Sequence, residues 1–141
     1  MEIAIGSDHA GFELKEQLVA YLKSKNIEVS DKGCYSLERA DYPDFGHAVA
    51  NEVLSKKING IVICGSGNGI NMSVNKHKGI RGALCWNSEI AALAKQHNDA
   101  NIIALPARFI TLEEAKKCVD AFLNEKFEGG RHAERVCKID I

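Results

Sequence analysis

Ile61-Val62-Ile63-Cys64-Gly65-Ser66-Gly67-Asn68-Gly69 is the stretch on which the fold turns. Four apolar residues without alternation suit a strand covered on both faces, as in a parallel sheet. Glycines at 65, 67 and 69 end that strand and open a helix expected from Ile70 to about Lys76. Shorter apolar runs lie to either side: Ile3-Ala4-Ile5, Ile27 with Val29, Gly82-Ala83-Leu84-Cys85 and Ile102-Ile103-Ala104-Leu105.

Amphipathic segments separate these runs. Leu14, Leu18 and Leu22 recur every four residues with Val19 on the adjoining row, while Lys15, Glu16 and Lys23 fall away from that face. Phe45, Val49 and Val53 step by four after Asp44, a candidate N-cap. Ile90, Leu93 and Ala94 mark another helix. The last long helix opens at Thr111 with Glu114 in capping-box position, and Ala115, Cys118, Val119 and Phe122 form its stripe. Gly129-Gly130 breaks it and leaves a tail, Arg131 to Ile141. Strand followed by helix, about five times over, predicts an α/β fold with a five-stranded parallel sheet between helical layers.

The chain has 141 residues, the size of one domain, with 45% hydrophobic and 26% charged residues. A net charge of -1 supplies no global field for nucleic acid or an anionic membrane. The amino terminus enters a strand without the pattern of a signal peptide, and nothing approaches a membrane span. Five cysteines, at 34, 64, 85, 118 and 137, are scattered and odd in number. That disfavours a disulfide scaffold or zinc cluster and favours reduced thiols in a cytoplasm. The histidines are equally dispersed, so no metal is expected.

In open α/β sheets ligands sit beyond the carboxyl ends of the strands. There, the amides of Gly65 to Gly69 can converge as an anion nest at a helix N-terminus, a setting that favours a thiolate at Cys64. The loop lacks the G-K-[ST] of a Walker A motif and the G-x-G-x-x-G spacing of a dinucleotide fold. It also has no closing Arg of the kind a cysteine phosphatase needs. A tight turn beside a structural cysteine is the competing reading; position at the end of the best strand favours a site. Asp8-His9 after the first strand either handles protons and anion charge or caps the next helix. His97-Asn98-Asp99 ends the fourth helical segment as a polar cluster. Arg131 and Arg135 are four apart, so a helix aligns both guanidinium groups for a phosphate, and Arg108 lies just past the last strand.

Gly6-Ser7-Asp8-His9-Ala10-Gly11, Asp41-Tyr42-Pro43, Cys64-Gly65-Ser66-Gly67-Asn68-Gly69-Ile70, Asn75-Lys76, His97-Asn98-Asp99 and Gly129-Gly130-Arg131-His132 occur in that order. Together they resemble the ribose-5-phosphate isomerase type B family, which includes galactose-6-phosphate isomerase subunits. The resemblance runs nearly end to end. It implies a single three-layer α/β/α Rossmann-like domain without metal or cofactor. It also implies interconversion of ribose 5-phosphate and ribulose 5-phosphate, a pentose phosphate reaction, through an enediolate. Family members take their base from a Cys ending the third strand or a Glu just after the glycine loop. Here those positions are Cys64 and Ile70, so Cys64 is the implied base.

By the same resemblance Asp8 and His97 assist ring opening, and Ser66 with the amides of Gly65, Gly67, Asn68 and Gly69 stabilises the enediolate. Tyr42 and Asn98 contact sugar hydroxyls, while His9, Arg108, Arg131 and Arg135 hold phosphate. It further implies a homodimer or homotetramer with shared sites, the tail from about 129 to 141 packing on a neighbouring subunit. Two alternatives remain open from sequence: a hexose 6-phosphate isomerase on the same scaffold, and a non-catalytic sugar-phosphate sensor.

Overall fold

The computed structural model describes residues 1–141 throughout. Its elements alternate: β1 (Glu2–Ser7), α1 (Phe12–Ser24), β2 (Glu28–Asp31), α2 (Tyr42–Lys56), β3 (Asn59–Cys64) and α3 (Asn68–Val74). There follow β4 (Gly82–Leu84), α4 (Ser88–Asn98), β5 (Ile102–Pro106), α5 (Leu112–Asn124) and α6 (Arg131–Val136). All five strands are parallel, in the order β2-β1-β3-β5-β4.

The continuous apolarity of the central strands has the cause expected: each face is covered by its own helical layer. Ile3, Ile5, Ile61, Ile63, Ile103 and Leu105 pack with α1, α4 and α5. Ala4, Val62, Cys64, Ile102 and Ala104 point the other way, against α2 and α3. Ile61 and Ile63 are fully buried, and each such side chain contributes about 2–3 kcal/mol of transfer free energy. The Cys64 side chain therefore belongs to the α2–α3 face.

Several local expectations are corrected. Helix α2 starts at Tyr42 with Asp41 as its N-cap, because Pro43 fits the first turn; Asp44 lies inside that turn. Helix α3 begins two residues before Ile70 and ends at Val74. In α4 the buried residues are Ala91 and Ala94, while Ile90 is exposed: the face turned to the core is the one that carries 91 and 94. Helix α5 ends at Asn124, before Gly129-Gly130, which instead precede α6. Lys15, read as facing away from the core, is fully buried.

Candidate active site

Register brings the first half of the site together. Cys64 pairs with Pro106 at the carboxyl ends of β3 and β5. Two bonds carry the pairing past the strand ends: Ala107 N–H donates to Cys64 O at 2.9 Å, and Arg108 N–H donates to Gly65 O at 3.0 Å. That brace lays the Arg108 guanidinium over Gly65, with Nη1 3.2 Å from where a Cβ would stand. Gly67 follows with φ 76°, a left-handed conformation that bends the chain into α3 and that a side chain would strain. Helix α3 has only seven residues, so it brings little macrodipole to the loop.

Ser66 Oγ accepts from Asn68 N–H at 3.3 Å and from Asn68 Nδ2 at 3.2 Å. Its lone pairs are engaged and its own O–H is left to donate. The Tyr42 ring, carried on the first turn of α2, lies directly against Gly69. Asp8 follows β1 and is 7% exposed. Its amide donates to Ile63 O at 3.2 Å, next to Cys64, and its Oδ1 accepts from Gly11 N–H at 3.1 Å. That short carboxylate turn closes the approach to α1, whose N-cap, Gly11, has no side-chain cap. His9 Nδ1 lies 3.1 Å from Ala40 N and 3.2 Å from Ala40 O, so the backbone of residue 40 fixes the ring beside the site. Asp8, His9, Tyr42, Cys64, the Gly65–Gly69 loop and Arg108 thus share the carboxyl edge of the sheet.

The remaining residues lie at the other edge. Helix α4 runs back from the end of β4 to the start of β5, so His97 and Asn98 fall at the amino ends of the strands. The length of β5 alone separates those levels by about 13 Å. The tail stays with them. Glu128 N–H donates to Gln96 O at 2.9 Å, and the His97 and His132 rings stack with centroids 4.3 Å apart and planes 9° from parallel. Arg131 and Arg135 sit one turn apart on α6, both exposed. Burial, and next the charges of His97 and Arg131, hold the His132 imidazole below its ordinary pKa of 6.5. One chain therefore places the two groups of candidate residues at opposite ends of its sheet.

Two neighbours of His97 in this second group were not singled out as candidates from sequence. His132 was quoted within the tail but given no role, and Glu128 was not singled out. Their partner His97 is some thirty positions earlier, so no short spacing announces the cluster.

A family model described as Ribose/Galactose Isomerase matches residues 3–139. The chain belongs to the ribose/galactose isomerase family. Among members of this family, it is 47% identical over 136 residues to ribose-5-phosphate isomerase B of Escherichia coli strain K12, spanning 96% of this chain and 91% of that protein. The solved ribose-5-phosphate isomerase B of Clostridium thermocellum superposes with a TM-score of 0.97 at 50% identity, covering 99% of this chain and 95% of the other. That of Mycoplasma genitalium, solved with bound ribulose-5-phosphate, superposes with a TM-score of 0.94 at 45% identity, over 98% and 93% of the two chains. The three-layer parallel architecture is common to them, and no helix of this chain is long and apolar enough to cross a membrane.

Proposed function

We propose that this ribose/galactose isomerase family member interconverts ribose 5-phosphate and ribulose 5-phosphate, with Cys64 as the base. One observation carries the assignment of roles: Cys64 ends β3 beside a glycine loop over which the Arg108 guanidinium is laid. A sugar whose phosphate is held by Arg108 and His9 presents its C2 carbon to the Cys64 sulfur. Cys64 removes the C2 proton and returns it to C1, while the hydroxyl proton of the enediol passes between O1 and O2. Negative charge developing on the enediolate is met by the Ser66 O–H and the loop amides other than that of Asn68, which Ser66 Oγ already accepts. Asp8 is placed to move a hydroxyl proton as the ring opens.

His97, Asn98, Arg131 and Arg135 act in this reading on the substrate of a second copy. The two half-sites lie at opposite edges, so a symmetric pair of chains can complete each half with the complement of its partner. The tail from about residue 129, seated on α4 of its own chain, then also reaches the neighbour. The five free cysteines suit a reducing compartment, and the cytoplasm is the proposed location.

The test is conversion of ribose 5-phosphate in excess chelator, together with wash-out of the C2 proton into deuterated solvent. The intact chain is expected to do both. Cys64→Ala should lose roughly a thousandfold in kcat, the scale of a removed acid–base group, with far-UV circular dichroism unchanged. Full activity in that variant would remove Cys64 as the base, and binding without proton exchange would make the chain a sensor. Because the matching family description names galactose beside ribose, allose 6-phosphate and galactose 6-phosphate belong in the same assay.

A further inference from the structure

His97, Glu128 and His132 come from three separate parts of the fold: the last turn of α4, the segment after α5, and α6. Glu128 Oε1 lies 3.7 Å from His97 Nε2 and 3.6 Å from His132 Nε2. One donor atom from each residue can be chosen so that all three lie within 4.8 Å of one another. The backbone under them is fixed independently. Gln96 Nε2 donates to Glu125 Oε2 at 2.8 Å, and Gln96 O accepts the Glu128 amide.

Ligand bonds of 2.0–2.2 Å to a tetrahedral zinc place donors about 3.2–3.5 Å apart. The two nitrogen-to-oxygen spans here are within about 0.5 Å of that figure. Each ring nitrogen aims its lone pair in the ring plane, so the parallel rings must fold out of their stack to share an ion. His97 and Glu128 have the exposure to allow that movement, with side chains 39% and 52% accessible. Two imidazoles with one carboxylate suit a borderline divalent ion better than magnesium or calcium. Three protein ligands leave a fourth position for water.

We propose that His97, Glu128 and His132 bind one zinc-class divalent ion, and that the ion inhibits the isomerase by withholding His97 from the sugar. The ion is an inhibitor in this scheme, not a cofactor. The inhibitory half rests on the function proposed above; the binding half does not.

Two measurements on the full chain, stripped with chelator, separate those halves. Calorimetric titration with zinc should give one site per chain. Titration with cobalt should give visible ligand-field bands without the near-ultraviolet thiolate transition that cysteine ligation produces. Glu128→Gln and His132→Asn should each weaken zinc binding at least about tenfold, since even outer-shell losses reach that scale. Unchanged affinity in both variants, no binding to the intact chain, or a thiolate band would overturn the site. Zinc should also slow ribose 5-phosphate conversion reversibly, with Glu128→Gln requiring at least about tenfold more. An ion that binds at this site without inhibiting would sink the inhibitory half alone. A chain inactive with and without chelator would instead count against the proposed function, leaving calorimetry to judge the site.

Discussion

The Lys15 ammonium, inside α1, donates to Asp31 at 2.7 and 2.9 Å and to Glu16 at 2.8 Å. The nitrogen also lies over the rings of Phe12 and Tyr35, 5.5 and 5.7 Å from their centroids. Desolvation opposes its charge, but the hydrogen bonds to Asp31 and Glu16 outweigh it and raise the pKa above the ordinary 10.5. The folded state thus holds the proton more tightly than the unfolded one. Its contribution to stability is complete below pH 10.5 and is lost as pH climbs through the higher folded value. Urea midpoints of the wild-type chain should fall between pH 9 and pH 11 by more than those of Lys15→Met; equal falls would show that the ion pair plays no part. Lys15→Ala should cost about 2 kcal/mol at pH 7, less than a wholly buried pair because Asp31 is 28% accessible. Spacing alone put Lys15 in solvent, because its partner at position 31 is on another element.

At the scale of elements, α2 and α3 meet through the Tyr42 ring and Gly69. A Cβ at residue 69 would stand 2.5 Å from two ring atoms, closer than real contacts allow. Gly69→Ala should therefore cost about 1–3 kcal/mol as overpacking and raise KM by moving the ring. With the ring removed, alanine gains roughly 1 kcal/mol of helix propensity over glycine. The same change in a Tyr42→Ala background should then be neutral or stabilising. Urea unfolding of the four proteins checks this; additivity within about 0.5 kcal/mol would mean the ring and the glycine do not meet in solution. This contact was out of reach of sequence, although both residues were named, because it depends on where α2 begins. Asp41 rather than Asp44 sets that point. The start of α5 was legible. Thr111 Oγ1 accepts from Glu114 N–H at 3.1 Å as its spacing indicated. The Glu114 carboxylate, however, goes to Ser88 N–H at 2.8 Å, tying α5 to the start of α4 instead of closing the box.

In the whole molecule, alternation of strand and helix already carries more than the sheet. Since β4, α4 and β5 are consecutive and the strands are parallel, the end of α4 must lie at the amino edge, opposite Cys64. The separation of His97 from Cys64 was thus implicit in the element order, whereas the packing of α6 beside His97 was not. If two chains complete each other's sites, Cys64→Ala and His97→Asn should be complementary defects. Each variant alone has every site broken. In a mixed pair, one site takes Cys64 from the His97→Asn chain and His97 from the Cys64→Ala chain, and so is whole; the other lacks both. Random exchange in an equimolar mixture makes half the pairs mixed, so activity should recover to about one quarter of wild type. The recovery should appear only after subunits have exchanged, for example by dilution from mild denaturant, and should be absent when each variant is treated separately. Failure to recover, with sedimentation showing that mixed pairs had formed, would place both residues in one chain's site and contradict the opposite-edge geometry.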